Sequence, residues 1–344
     1  MTVRRNLLAG GGAAAVAVAV GLVALPAQAA ALPAGCSGTA PIVCHYDVAA
    51  GNYDISATLG AQTSLSVEAR RLIFAAGTGS GTLTRTATVN VRVPEGQPTG
   101  QGGTGTAGLT LTFGGAAPQL SALTVTAATR PLVAYLAGDS TVCDQPTAPY
   151  TGWGQILTAS VGAGAVIANY GDSGESSASF LASSALFPTM RALIASGDLV
   201  LIQFGHNDKT TTAADYRANL TAMVTQTRAR GGVPVLVTPP VRRLFSGSAL
   251  TATALHVNSL GVDLPVEMRA VATANAVPLI DLTAKSKALV ESLGPTESSR
   301  LYLTAAADGV TDNTHFSEYG AGQMAGLVLQ GVREQNLTLS GYLH

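Results

Sequence analysis

Two rhythms of apolar residues divide the chain. From about residue 35 to 128 apolar and polar positions alternate. In NYDISATLG the residues Tyr53, Ile55, Ala57 and Leu59 share one side, and in TATVNVRV so do Val89, Val91 and Val93. GLTLTF and LSALTVTA repeat the pattern. A period of two is that of a strand with one buried face. Stretches such as PEGQPTGQGGTGTAG lie between the runs and supply turns and loops. Short strands with frequent turns predict a small β-sandwich over residues 31–129. Such a module binds carbohydrate or packs against its neighbour, and no cluster of aromatic residues selects the first role.

From residue 130 to 344 the rhythm changes to continuous apolar runs separated by helical stretches. The strands are read as PLVAYLA, AVIANY, DLVLIQF, VPVLVTPP and VPLIDL. The helices are read as GWGQILTASV, SSASFLASSAL, AADYRANLTAMVTQTRAR, VEMRAVATANA and YGAGQMAGLVLQGVREQ. This order predicts an α/β/α arrangement, a parallel sheet covered on both faces. Ligands in such sheets bind beyond the carboxyl ends of the strands. Ser140 follows the first of these strands, Gly174 the second and Asn207 the third.

Composition narrows the reading further. With 19 Lys and Arg against 20 Asp and Glu, and no basic run, the chain has no nucleic-acid partner. Residues 1–30 hold Arg4 and Arg5, a weakly apolar Ala/Gly/Val/Leu run, and Ala27-Gln28-Ala29, the three parts of an export signal. The paired arginines resemble a twin-arginine signal in part. ALPAGC resembles a lipid-attachment box, but Pro33 stands where such boxes have Leu. The mature protein is therefore expected to be secreted and extracellular, free of the membrane after signal cleavage, and monomeric. Export permits a disulfide, and Cys36 and Cys44 are close enough to close a small loop. Cys143 is then left over, in a packing role. No Cys or His spacing fits a metal, and no cofactor is expected.

Ester hydrolysis needs a hydroxyl nucleophile, a base, a group to orient the base, and donors for the oxyanion. Alone, Ser140 in LAGDSTVCDQ is a polar residue in a turn. TDNTHFSEYGAG adds Asp312 and His315, three residues apart on a turn or helical start, where the carboxylate supports the imidazole. Asp312 read as a helix cap is the bland alternative. The N–H groups of Ser140 and Gly174 and the amide of Asn207 are the candidate oxyanion donors. His206 competes with His315 as the base, but it adjoins Asn207 and is read with Asp139 and Glu175 as a substrate-contacting or site-wall residue.

GDS, an isolated Gly, GxND and DxxH, in that order, resemble the SGNH (GDSL-type) hydrolases, with Ser140, Gly174, Asn207 and His315 as the lettered residues. LAGDSTVCDQ, GWGQ, NYGDSGESS, IQFGHNDK and DNTHFSEYGA are similar, more closely, to rhamnogalacturonan acetylesterase-like proteins. YDISATLG, EARRLIF, VNVRVPE and GLTLTFGG look like the β-sandwich, galactose-binding-like, that precedes the esterase domain in some bacterial members. The resemblance implies a serine deacetylase acting on acetylated polysaccharide or oligosaccharide of the plant cell wall, without a cofactor. The family pattern S-G-R-S-S-R-S-F is broken by Glu175 and Ala178, which reverses the local charge. Acetylated xylan thus has weight comparable to pectin or rhamnogalacturonan. Two other functions compete: a lipase or esterase of broader acyl specificity, and a carbohydrate-binding protein with a degenerate site.

Overall fold

The computed structural model describes residues 31–92 and 106–344, and residues 32–344 form one compact unit. The export signal of residues 1–30, Val93 and residues 94–105 of the Gly/Thr/Pro-rich loop lie outside the described residues. The alternating region folds as two antiparallel sheets. One has the order Cys36–Gly38, Ile42–Tyr46, Leu109–Gly114, Ser64–Val67 and Arg71–Phe74. The other places Gly51–Gly60 between Thr82–Val91 and Leu120–Ala127. Alternation turns Ile55, Ala57, Leu59 and Val89 inward against Leu65, Leu111 and Phe113, and burial of these side chains holds the two sheets face to face. Cys36 and Cys44 sit opposite one another and are joined by a disulfide.

The second region builds a five-stranded, wholly parallel sheet. Its order is Ala165–Asn169, Leu132–Gly138, Leu199–Gln203, Val233–Val237 and Leu279–Ile280. The strands are almost wholly apolar because both faces are covered, with polar Asn169 and Gln203 only at carboxyl ends, and successive side chains serve opposite cores. Ala134 and Leu136 join Leu199 and Leu201 in a core with Trp153, Met324 and Val328. Val133 and Tyr135 join Val200 and Ile202 in another with Phe180, Tyr216 and Met268. The first core is covered by helices Trp153–Leu157, Leu282–Glu297 and Glu318–Glu334. The second is covered by Ser177–Ala182, Phe187–Leu193, Ala213–Ala229 and Leu264–Ala274.

The strand order reverses at Leu132–Gly138, which has the second strand on one side and the third on the other. Such a switch opens a crevice beyond the strand ends, because the connections leaving the two strands diverge. Ser140 and Asn207 follow the two strands that flank it.

Candidate active site

Strand Leu132–Gly138 runs into a tight turn in which the N–H groups of Val142 and Cys143 both donate to the Asp139 carbonyl, each at 3.0 Å. The turn is braced from behind by GWGQ. A Cβ on Gly152 would lie 2.1 Å from the Cys143 carbonyl oxygen, so only glycine admits this approach. Below the turn lies a buried polar network. The Trp153 indole donates to Gln203 Oε1 at 2.8 Å, and Gln203 donates to Thr141 Oγ1 at 3.1 Å. Asp139 is fully buried. Its Oδ1 accepts from the Thr141 N–H and hydroxyl, and its Oδ2 from His206 Nδ1 at 3.2 Å. Burial opposes its ionisation, but the His206 and Thr141 contacts prevail and lower its pKa to about 2. Burial also lowers the His206 pKa, against the pull of the Asp139 carboxylate. Asp139 thus acts beneath the site and does not line it.

Above the turn, Ser140 Oγ meets His315 Nε2 at 2.8 Å, and His315 Nδ1 meets Asp312 Oδ2 at 2.7 Å. Asp312 Oδ1 also accepts the N–H groups of Thr314 (2.7 Å) and His315 (3.0 Å). Burial works against the Asp312 carboxylate, but these bonds outweigh it and hold its pKa well below the usual carboxylate range. An ionised Asp312 only accepts, so His315 carries its proton on Nδ1 and offers Nε2 to the Ser140 hydroxyl. Asp312 and His315 lie on a short strand, Asp312–Phe316, paired with Tyr302–Leu303 across an irregular register. The carboxylate closes a local turn on its own backbone, so the segment bends without becoming a helix. The alternative of a helix capped by Asp312 is not what forms: the helix begins at Glu318, beside the stretch read as helical, and is capped by Ser317. His206 makes no contact with Ser140: its Nδ1 is taken by Asp139, and its ring stacks edgewise on His256 at 4.4 Å.

Ser140, Asp312 and His315 border a pocket of about 560 Å³, together with Gly174, Asn207 and Tyr150. Gly174 has φ +85°, a conformation glycine adopts without strain. Neither the Ser140 nor the Gly174 N–H finds an acceptor among the described residues, so both are available to a ligand. One hydrogen of the Asn207 amide is fixed by the Glu175 carbonyl at 3.1 Å, which orients the group and leaves the other free. Glu175 enters the site through this carbonyl; its side chain is not part of the pocket wall. Cys143 is fully buried, and burial pushes its thiol pKa far up, which suits packing. Tyr150 escaped sequence reading. Its ring meets His315 edge-on at 5.5 Å, and nothing in its local sequence marks it.

A second cavity, of about 390 Å³, is lined by the chain neighbours of Asn207 and His315, namely His206 and Thr314. Lys209 and Arg242 line it and no carboxylate does. Arg242 donates to the His206 carbonyl at 2.9 Å and to the Thr314 hydroxyl, tying the His315 segment to the Asn207 loop. Among the described residues no cluster of three or more His, Cys, Asp or Glu is placed to hold a metal ion, and no helix is long and apolar enough to cross a membrane.

A serine hydroxyl bonded to an oriented imidazole, with unpaired donors beside it, is equipped for acyl transfer. Comparison with known proteins agrees. Residues 136–322 match the model of the GDSL-like Lipase/Acylhydrolase family. The chain is 38% identical over 227 residues to rhamnogalacturonan acetylesterase RhgT of Bacillus subtilis (strain 168), covering 62% of this chain and 95% of that protein. It is 29% identical over 215 residues to the probable rhamnogalacturonan acetylesterase YesY of the same strain, covering 60% and 94%. The crystal structure of protein YXIM from Bacillus subtilis shares the fold, with a TM-score of 0.56 at 23% identity, over 87% of this chain and 81% of that one. The chain belongs to the GDSL-like lipase/acylhydrolase family and is a carboxylic-ester hydrolase of SGNH-hydrolase fold.

Proposed function

We propose that the chain is an exported serine esterase that removes O-acetyl groups from plant cell-wall polysaccharide through an acetyl-serine intermediate. The observation that carries this reading is the unbroken hydrogen-bonded line from Asp312 through His315 to Ser140 at the mouth of an open pocket. His315 Nε2 takes the Ser140 proton as Oγ attacks the acetyl carbonyl. The carbonyl oxygen gains the negative charge and is held by the Ser140 and Gly174 N–H groups and the Asn207 amide. Collapse of this intermediate breaks the ester bond, and the sugar oxygen leaves with the proton from His315. Water then repeats the sequence on the acetyl-enzyme, releases acetate and restores the Ser140 hydroxyl. Tyr150 sets an aromatic ring in the pocket wall beside His315, a partner suited to a sugar ring.

Asn207→Ala should lower kcat by about a hundredfold or more with little change in KM, because its donor strengthens only as the oxyanion forms. Unchanged kcat would remove Asn207 from the oxyanion site.

The rhamnogalacturonan acetylesterases similar to this chain favour a pectic substrate. So does the second cavity, where Lys209 and Arg242 offer positive charge to a uronate carboxylate. Acetate release from acetylated rhamnogalacturonan, pectin and xylan tests the choice. The uronate-bearing polymers should be deacetylated about tenfold faster than xylan, the worth of one well-placed charged contact. A preference for xylan would overturn the pectic reading, and no acetate from any polymer would overturn the deacetylase. A steep fall in rate along a series of aryl esters of growing acyl length separates an acetylesterase from a lipase. Export is tested by the N-terminal residue of protein recovered from culture medium, expected near Ala30.

A further inference from the structure

The turn between strands Ser64–Val67 and Arg71–Phe74 belongs to the β-sandwich, yet it reaches the nucleophile block. Arg70 Nη1 donates to the carbonyls of Gln145 (3.0 Å) and Tyr150 (3.1 Å). These are the first and last residues of the loop that walls the Ser140 pocket, so one guanidinium fixes both ends of the loop. The Ala69 carbonyl accepts from the buried Gln155 amide at 2.6 Å, and the same amide donates to the Gln145 carbonyl at 2.9 Å. Beside it, buried Arg71 pairs with buried Asp144 at 3.2 Å. The line continues inward, since Gln145 Nε2 donates to the Ser140 carbonyl at 3.0 Å. At its outer end the loop carries Tyr150 against His315.

The backbone of the turn is a second, independent sign. Glu68 and Arg70 both have left-handed conformations, with φ of 52° and 59°. Glycine or asparagine normally fills such positions, since a long side chain there carries strain. Strain of this kind persists where the side chain is used. Glu68 Oε1 accepts the Thr110 N–H at 2.8 Å, within the sandwich, whereas Arg70 reaches across to the pocket wall. A turn that only joined two strands would have no reason to keep an arginine at this φ.

We propose that the 68–71 turn braces the active site from outside and that Arg70 is a positioning residue, holding the 145–150 wall in the shape that binds the sugar carrying the acetyl group. The sandwich is thereby a working part of the esterase, its role exercised through contact with the pocket wall. This rests on the reading of the Ser140 pocket as the place of ester hydrolysis. An aryl acetate places little beyond its acetyl group in that pocket, whereas a saccharide lies along the wall, so the two substrates respond differently.

The test uses the full chain with Arg70→Ala, Arg70→Gly and Arg70→Lys, measuring kcat and KM on 4-nitrophenyl acetate and on an acetylated rhamnogalacturonan oligosaccharide, with Tm for each variant. Loss of two charge-assisted hydrogen bonds should raise KM for the oligosaccharide about tenfold in the Ala and Gly variants. Both constants for the aryl acetate should stay within about threefold of wild type, since the triad is untouched. Arg70→Lys, which keeps the charge and one donor group, should recover part of the loss. Arg70→Gly should keep a higher Tm than Arg70→Ala, because glycine accepts the left-handed backbone, while sharing its KM defect. An unchanged oligosaccharide KM would overturn the proposal. So would equal losses on both substrates that follow Tm, which mark a purely structural contact. If the wild-type chain hydrolyses neither substrate, the esterase reading itself fails, a result distinct from either of these.

Discussion

Ser140→Ala should lower kcat by about a millionfold, as removal of the nucleophile does in serine hydrolases that work as a unit. Among the described residues the hydroxyl has one partner, His315 Nε2, and the residue is buried, with 7% exposure. Alanine fills the same space less one oxygen, and the turn is held by backbone bonds to the Asp139 carbonyl and by the closely packed GWG segment, none of which involves Oγ. Tm should therefore stay within a few degrees of wild type, since ~1 kcal/mol is what a single neutral hydrogen bond contributes. The residual rate comes from the oxyanion donors acting on water, and removing His315 as well should add little. A fluorophosphonate should label wild type on Ser140 and leave the variant unlabelled. Turnover preserved in a folded Ser140→Ala protein, or labelling at another residue, would displace Ser140 from the nucleophile role.

Much of this arrangement was legible because the chemistry follows strand ends. Period-two alternation marks the sandwich, and continuous apolar runs mark a sheet buried on both faces, which places Ser140, Gly174 and Asn207 at its carboxyl edge. The pairing of Asp312 with His315 was equally open to view, since three residues of separation permit contact in most local conformations. What escaped was whatever depended on tertiary context. Helix Leu282–Glu297 was not read because its buried face uses Thr283 and Ser286 as well as Leu282 and Val290, and Gly294 and Pro295 break its end. Helix Phe187–Leu193 has proline in its first turn and was not read, the helical stretch SSASFLASSAL stopping at Leu186. The strand under His315 was read as a turn or helix start because its bend comes from the Asp312 carboxylate bonding its own backbone. Tyr150 gave no signal, and Arg70 stood only as one residue of EARRLIF with no role attached, since the importance of both lies in what faces them across the fold. Buried Asp139 and His206 were placed in the site by their neighbours in sequence; both side chains turn inward, where the low-dielectric interior makes their mutual bond strong.

Asp312 offers the sharpest separation of catalysis from folding, because its two oxygens have different duties. Oδ1 accepts the Thr314 and His315 N–H groups and shapes the local turn; Oδ2 accepts the His315 ring proton. Asp312→Asn can keep the first duty, with its carbonyl oxygen in the place of Oδ1. Its NH₂ then faces Nδ1 and demands a lone pair there, which drives the ring proton to Nε2, where it points at Ser140 and cannot accept. The expected result is a loss in kcat of about ten thousandfold with near-native Tm, the scale seen when the acid of a triad is changed to its amide. Asp312→Ala should lose a similar amount, still less than Ser140→Ala, and in addition lower Tm by several degrees, as two backbone donors lose their acceptor. Activity of Asp312→Asn within tenfold of wild type would show that the carboxylate does not set the tautomer of His315. Equal Tm losses in both variants would show instead that the turn depends on charge and not on the shape of the acceptor.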